Sequence, residues 1–112
     1  MRIEIDDCNA VIITFHTRSE RFVSDYERTK FFRELHGWKQ SVPCREKRYV
    51  YRRGGLLDEV PHIKIADSVF AVSLRRMQEV MEFFDEWGDK VDCETMRIKV
   101  IEDRLLKMLE EL

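Results

Sequence analysis

Between Ser73 and Gly88 the apolar residues Leu74, Met77, Val80, Met81, Phe84 and Trp87 recur at helical spacing, and an amphipathic helix is the structure that gathers them on one face. Ser73 is a natural cap for it and Gly88 a natural stop. β-Branched residues flank it. Ile63 to Val72 precede it, interrupted by the turn-like Asp67-Ser68. After it, Met96, Ile98 and Val100 alternate with Thr95, Arg97 and Lys99 as a half-buried strand. A strand, a helix and a strand in this order imply a crossover, so the two strands run in the same direction.

The other segments extend this unit. Ile3 and Ile5 alternate with charged residues, Asp6 to Asn9 are polar, and Ala10 to Phe15 form a β-branched run; this reads either as an N-terminal hairpin or as one long strand with a bulge. From Ser19, a candidate cap, a helix is expected to reach Leu35 and stop at Gly37. Its periodicity is best over residues 28–36: Phe22, Val23 and Tyr26 share one face, whereas Phe31 and Leu35 fall near the opposite one. A break near Thr29, or a strand in the first part, fits that mismatch as well.

Residues 37–45, with Gly37, Ser41 and Pro43, read as a loop. Arg48 to Arg52 have the aromatic and β-branched content of a strand, ended by Gly54-Gly55, and residues 54–61 form a connection closed by Pro61. Ile101, Leu105, Met108, Leu109 and Leu112 mark a terminal amphipathic helix. The order β, α, β, β, α, β plus a helix predicts a single α+β domain over residues 1–112. It is the order of a ferredoxin-like, split βαβ antiparallel sheet with helices on one face.

A chain of 112 residues can build one core without a disulfide or metal staple. Its longest apolar run, Ala10 to Ile13, is far short of the roughly 20 residues needed to span a bilayer. The N-terminal alternation is unlike a secretory signal, which predicts a cytoplasmic protein with no membrane partner. Three cysteines, Cys8, Cys44 and Cys93, fit neither a disulfide framework nor a paired zinc motif, so free thiols are expected. Charged residues make up 38% of the chain while Asn occurs once and Gln twice, the balance expected of a thermophile.

The formal net charge of −2 conceals a division. Residues 1–17 carry −2, residues 18–53 carry +6 and residues 54–112 carry −6. Within the basic third, Lys39, Arg45, Lys47, Arg48, Arg52 and Arg53 stand against Glu46 alone, and Tyr49 and Tyr51 lie inside that run. On a strand, Tyr49, Tyr51 and Arg53 share one face and Arg48, Val50 and Arg52 the other. Placed on an open sheet face, the tyrosines would stack on bases of RNA or single-stranded DNA while the guanidinium groups meet phosphates. The run lacks the consensus of the common RNA-recognition strand. Alternatively the tyrosines lie in a subunit interface or under the terminal helix, and the bases form a solvated edge.

The acids of the helix, Glu79, Glu82, Asp85 and Glu86, fall on its solvent side. A basic strand on one copy and an acidic helix on another would support a homodimer. An open sheet face offering Phe15, Tyr49, Tyr51, Phe70 and Val100 points the same way. The expectations are, in order, nucleic-acid binding through Lys39, Arg45, Lys47, Arg48, Tyr49, Tyr51, Arg52 and Arg53; a homodimeric regulatory or interaction module; and a small nuclease or hydrolase using His62 with Asp58 or Glu59. His16 and His36, at element ends, are weaker candidates. No glycine-rich phosphate loop and no short-spaced Cys or His pair is present, so no metal and no cofactor are expected.

Overall fold

The computed structural model describes residues 7–110; the expected alternation at Ile3 and Ile5, and Leu112, lie outside them. The described residues form a mixed α+β structure with six strands and four α-helices, every strand pair antiparallel. In chain order these are β1 (Ala10–Thr17), α1 (Asp25–His36), β2 (Trp38–Cys44), β3 (Lys47–Arg53), α2 (Leu56–Glu59), β4 (His62–Ala66), β5 (Val69–Ser73), α3 (Met77–Trp87), β6 (Val91–Ile98) and α4 (Asp103–Glu110). Four strands make one sheet in the order β4-β5-β1-β6, and β2 and β3 make a separate ribbon. Because β1 lies between β5 and β6 and is antiparallel to both, β5 and β6 run in the same direction, as the crossover through α3 requires.

The core follows from alternation along the strands. Val11, Ile13 and Phe15 of β1 share a face with Phe70 and Val72 of β5 and with Val91 of β6. Phe31 and Leu35 of α1 and Val80 and Phe84 of α3 cover that face. Phe15, Phe31, Phe70 and Phe84 meet with ring centroids 5.5 to 6.5 Å apart, mostly edge-on or tilted. Ala10, Ala71 and Leu109 are buried outside this cluster. Both alanines point to the opposite face of the sheet, and α4 packs there over β4 and β5. Asn9 extends β1: its amide donates to the Val100 carbonyl at 2.9 Å and accepts from the Val100 N–H at 2.8 Å.

Several boundaries differ from expectation. The first helix starts at Asp25, capped by Ser24, whose Oγ accepts from the Glu27 N–H at 3.3 Å; Ser19 opens a short 3₁₀ turn instead. Phe22 and Val23 therefore precede the helix, which removes the conflict with Phe31 and Leu35. Ser73 makes no capping hydrogen bond, because the chain passes through a 3₁₀ turn, Leu74–Arg76, before α3. Strand β6 begins at Val91 and ends at Ile98. Residues 38–44, expected as loop, are strand β2, paired with β3 from Trp38↔Arg53 to Cys44↔Lys47. Both members of a two-stranded ribbon are edge strands, where Pro43 is tolerated.

The ribbon stands apart from the body as an arm. The longest dimension is 72 Å and the Cα radius of gyration 17.2 Å, against about 13 Å for a compact chain of this length. Its root is a crossing of two glycines. Gly37 ends α1 with φ +78°, and a Cβ there would sit 2.5 Å from the Arg53 carbonyl oxygen. A Cβ on Gly55 would overlap the backbone of Gly37 and His36. Strand β3 thus leaves the arm at the point where α1 entered it, at a distance only a pair of hydrogens permits. Gly55→Ala is expected to cost about 1–3 kcal/mol, because backbone must move. Gly88→Ala has open space around the Cβ, but φ +54° with ψ −124° lies outside the left-handed helical well, so it should cost about 1–3 kcal/mol from backbone strain alone. Urea denaturation of both variants measures the two costs, one from overlap and one from strain.

Candidate nucleic-acid interface

The register of the arm sorts its side chains into two faces, since directly paired residues point the same way. One face carries Trp38 opposite Arg53, Gln40 opposite Tyr51, Val42 opposite Tyr49 and Cys44 opposite Lys47. The other carries Lys39 opposite Arg52, Ser41 opposite Val50 and Pro43 opposite Arg48. Every residue of β3 is exposed, including Tyr49 at 47% and Tyr51 at 48%. The tyrosines do share a face with Arg53, but on this ribbon and not on the four-stranded sheet. Phe15 and Phe70, expected with them on an open sheet face, are 6% and 3% exposed in the core.

Electrostatically the arm is one-signed: its six bases, Lys39, Arg45, Lys47, Arg48, Arg52 and Arg53, face a single acid, Glu46. The tip is a two-residue turn at Arg45 and Glu46 with Arg45 at φ +58°, a left-handed position normally held by Gly, Asn or Asp. Placing a β-carbon there costs roughly 1–2 kcal/mol.

Arg52 has a structural engagement. Its Nη2 donates to the His36 carbonyl at 3.0 Å and to both carboxylate oxygens of Asp58, at 2.9 and 3.0 Å. Asp58 also accepts from the Gly55 N–H at 2.7 Å, closing the first turn of α2. One guanidinium and one carboxylate thereby join the end of α1, the end of the arm and the start of α2. The Gly55 hydrogen bond, and after it Arg52, hold the Asp58 carboxyl below its ordinary range.

The geometry adds residues that the sequence did not single out. Arg33 lays its guanidinium over the Trp38 ring, 4.1 Å from the centroid, and Arg53 stands 5.8 Å from the Tyr51 centroid. Tyr26, Lys30, Arg33, Glu34, Trp38 and Gly54 line an open hollow of about 230 Å³ at the root of the arm. Tyr26, Lys30 and Arg33 lie four and three residues apart on α1, hence on one helical face. That spacing was readable, but without a partner surface it resembles any solvated helix face.

The hydrolase candidates fall elsewhere. His62, half-buried, pairs its Nδ1 with the Val60 carbonyl at 2.9 Å, and with His36, Leu57, Lys64 and Phe70 it lines a cavity of about 30 Å³. Small-molecule sites are some tenfold larger. Burial, then the charges of Lys64 and His62, push the His36 pKa down. Asp58 is committed to the arm's root, and the Glu59 side chain is exposed while its carbonyl accepts from Arg76 at 3.3 Å. His16 is exposed on β1. Cys8, Cys44 and Cys93 are free thiols, and burial, followed by the charges of Asp85 and Glu94, pushes Cys93 up to about 11. Among the described residues no group of three or more His, Cys, Asp or Glu is placed to hold a metal ion, and no helix is long and apolar enough to cross a membrane.

No family model, curated protein or solved structure matches the chain significantly.

Asp58→Ala should destabilise the fold by about 1–2 kcal/mol at pH 7, the worth of a lost capping bond plus a weak exposed ion pair. A carboxyl held low in the folded state stabilises above its unfolded pKa, and that contribution disappears as pH falls through the folded value. The gap between wild type and Asp58→Ala should therefore be full at neutral pH and close in acid, as thermal melts from pH 7 downward would record.

Proposed function

We propose that the chain is a small nucleic-acid-binding protein whose contact surface is the β2–β3 arm, carried on a ferredoxin-like body. The strand order β4-β5-β1-β6 supports the second part: with the arm and α2 set aside as an insertion between α1 and β4, the remaining elements follow the split βαβ order with α4 appended.

The observation that carries the functional reading is the arm itself. A two-stranded ribbon that buries no apolar face contributes little to stability, yet this one holds six bases against one acid and two half-exposed tyrosines. A narrow basic ribbon has the shape and charge of elements that enter a nucleic-acid groove or track a strand. Arg45 strengthens the reading. A strained non-glycine backbone at the most projecting point makes sense where the side chain has work to do.

Lys39, directly opposite Arg52, and Arg48, which donates to the Ser41 Oγ at 3.1 Å, lie on the face opposite Tyr49 and Tyr51 and are free of the Asp58 carboxylate; they serve as phosphate contacts. Binding should weaken with salt through counterion release. In gel retardation with pooled RNA and DNA, Lys39→Ala with Arg48→Ala should lower the log–log salt slope by roughly one unit per charge removed. Arg45→Gly should raise stability by up to about 1 kcal/mol and weaken binding, so that melting point and affinity move in opposite directions.

A second reading, the homodimeric module, rests on the exposed Glu79, Glu82, Asp85 and Glu86 of α3, which could receive the basic arm of another copy. Sedimentation at rising salt separates the two: a dimer held this way dissociates in protein alone, and nucleic acid fails to shift the wild type.

A further inference from the structure

We infer that the aromatic face of the arm and the hollow at its root form one track for unpaired nucleotides, so that the partner is a single strand and not a duplex. This rests on the nucleic-acid reading and goes further by fixing the form of the ligand.

The track runs through Tyr49, Tyr51, Arg53, Trp38, Arg33 and Tyr26. Tyr49 and Tyr51 are two residues apart on β3, and Trp38, directly opposite Arg53, is the next layer on the same face. Successive layers on one face of a strand are about 6.8 Å apart. Bases stacked in a duplex strand rise about 3.4 Å per step. A continuous stack therefore cannot place neighbouring bases on neighbouring layers of this face. An extended strand with its bases spread can, and each ring then receives one base.

The side chains already present show what the face favours. Arg33 over Trp38 at 4.1 Å and Arg53 beside Tyr51 at 5.8 Å are stacks of a cationic plane with an aromatic ring, the two surfaces on which bases pack. Tyr26, 74% exposed, continues the track beyond Trp38 across the hollow. Lys30, 3.8 Å from Glu34, offsets the one acid in the hollow's lining. Lys47 and Arg53 on the same face, at either end of the tyrosine pair, supply charge for the phosphates between the bases.

The test is fluorescence anisotropy at low salt with labelled twelve-nucleotide RNA and DNA single strands and with the blunt duplexes of the same sequences. It compares wild type, Trp38→Ala and Trp38→Phe, each checked by thermal melting. Both single strands should bind at least tenfold more tightly than their duplexes. Trp38→Ala should reduce single-strand affinity roughly tenfold, the loss of one stacked base, leave duplex affinity within twofold, and be largely rescued by Trp38→Phe. Duplexes that bind as tightly as single strands, or a Trp38→Ala loss shared equally by both, would overturn the track while leaving the arm as a nucleic-acid surface. Absence of binding to every oligonucleotide would overturn the arm reading and the track together.

Discussion

The close approach of Gly37 and Gly55 is the constraint on which the architecture turns. It lets the chain leave the body after α1, run out and back through fourteen paired strand residues and re-enter at nearly the same point. Arg52 then closes the root by donating to the His36 carbonyl and to Asp58, which in turn holds the first turn of α2. With the root fixed, the body can complete its four-stranded sheet as though the arm were absent, and the arm is held to one exit.

That separation explains how charge is distributed. The body buries its aromatic cluster between the sheet and two helices and presents acids along α3. The arm carries most of the unbalanced positive charge and buries almost nothing. Near-neutrality of the whole chain results from cancellation between two parts that meet only at the root of the arm. A basic element held clear of an acidic body keeps its attraction for phosphate, since beyond roughly 8–10 Å at ordinary salt the body's charges are screened.

Legibility in the sequence followed burial. Helix α3 and strand β5 were readable because one side of each faces the core and the apolar period records it, while Asp67-Ser68 marked the turn before β5 and Gly37 and Gly88 the helix stops. The first half of β6 was obscured by a change of face: Val91 and Cys93 point toward the helices, whereas Met96 and Ile98 point away, so no single alternation spans the strand. Strand β2 left no pattern because neither of its faces is buried, and Ser41 and Pro43 then read as loop. The start of α1 was available in Ser24-Asp25-Tyr26-Glu27, a capping-box spacing that the more distant Ser19 displaced. Of the candidate surface, the basic run and the two tyrosines were legible. Arg33, Trp38 and Tyr26 were not, because they join it only when the glycine crossing brings α1 against the arm.

The most direct test of the claim that the arm is a separable binding element is its excision. Gln40 and Tyr51 are paired, as are Lys39 and Arg52, so residues 40–51 can be replaced by Asn-Gly, closing a short hairpin and keeping the Arg52–Asp58 clasp. The shortened chain should unfold cooperatively near the wild-type midpoint and lose retention of RNA and DNA. A shortened chain that fails to fold, or one that binds nucleic acid as well as the intact protein, would contradict the account.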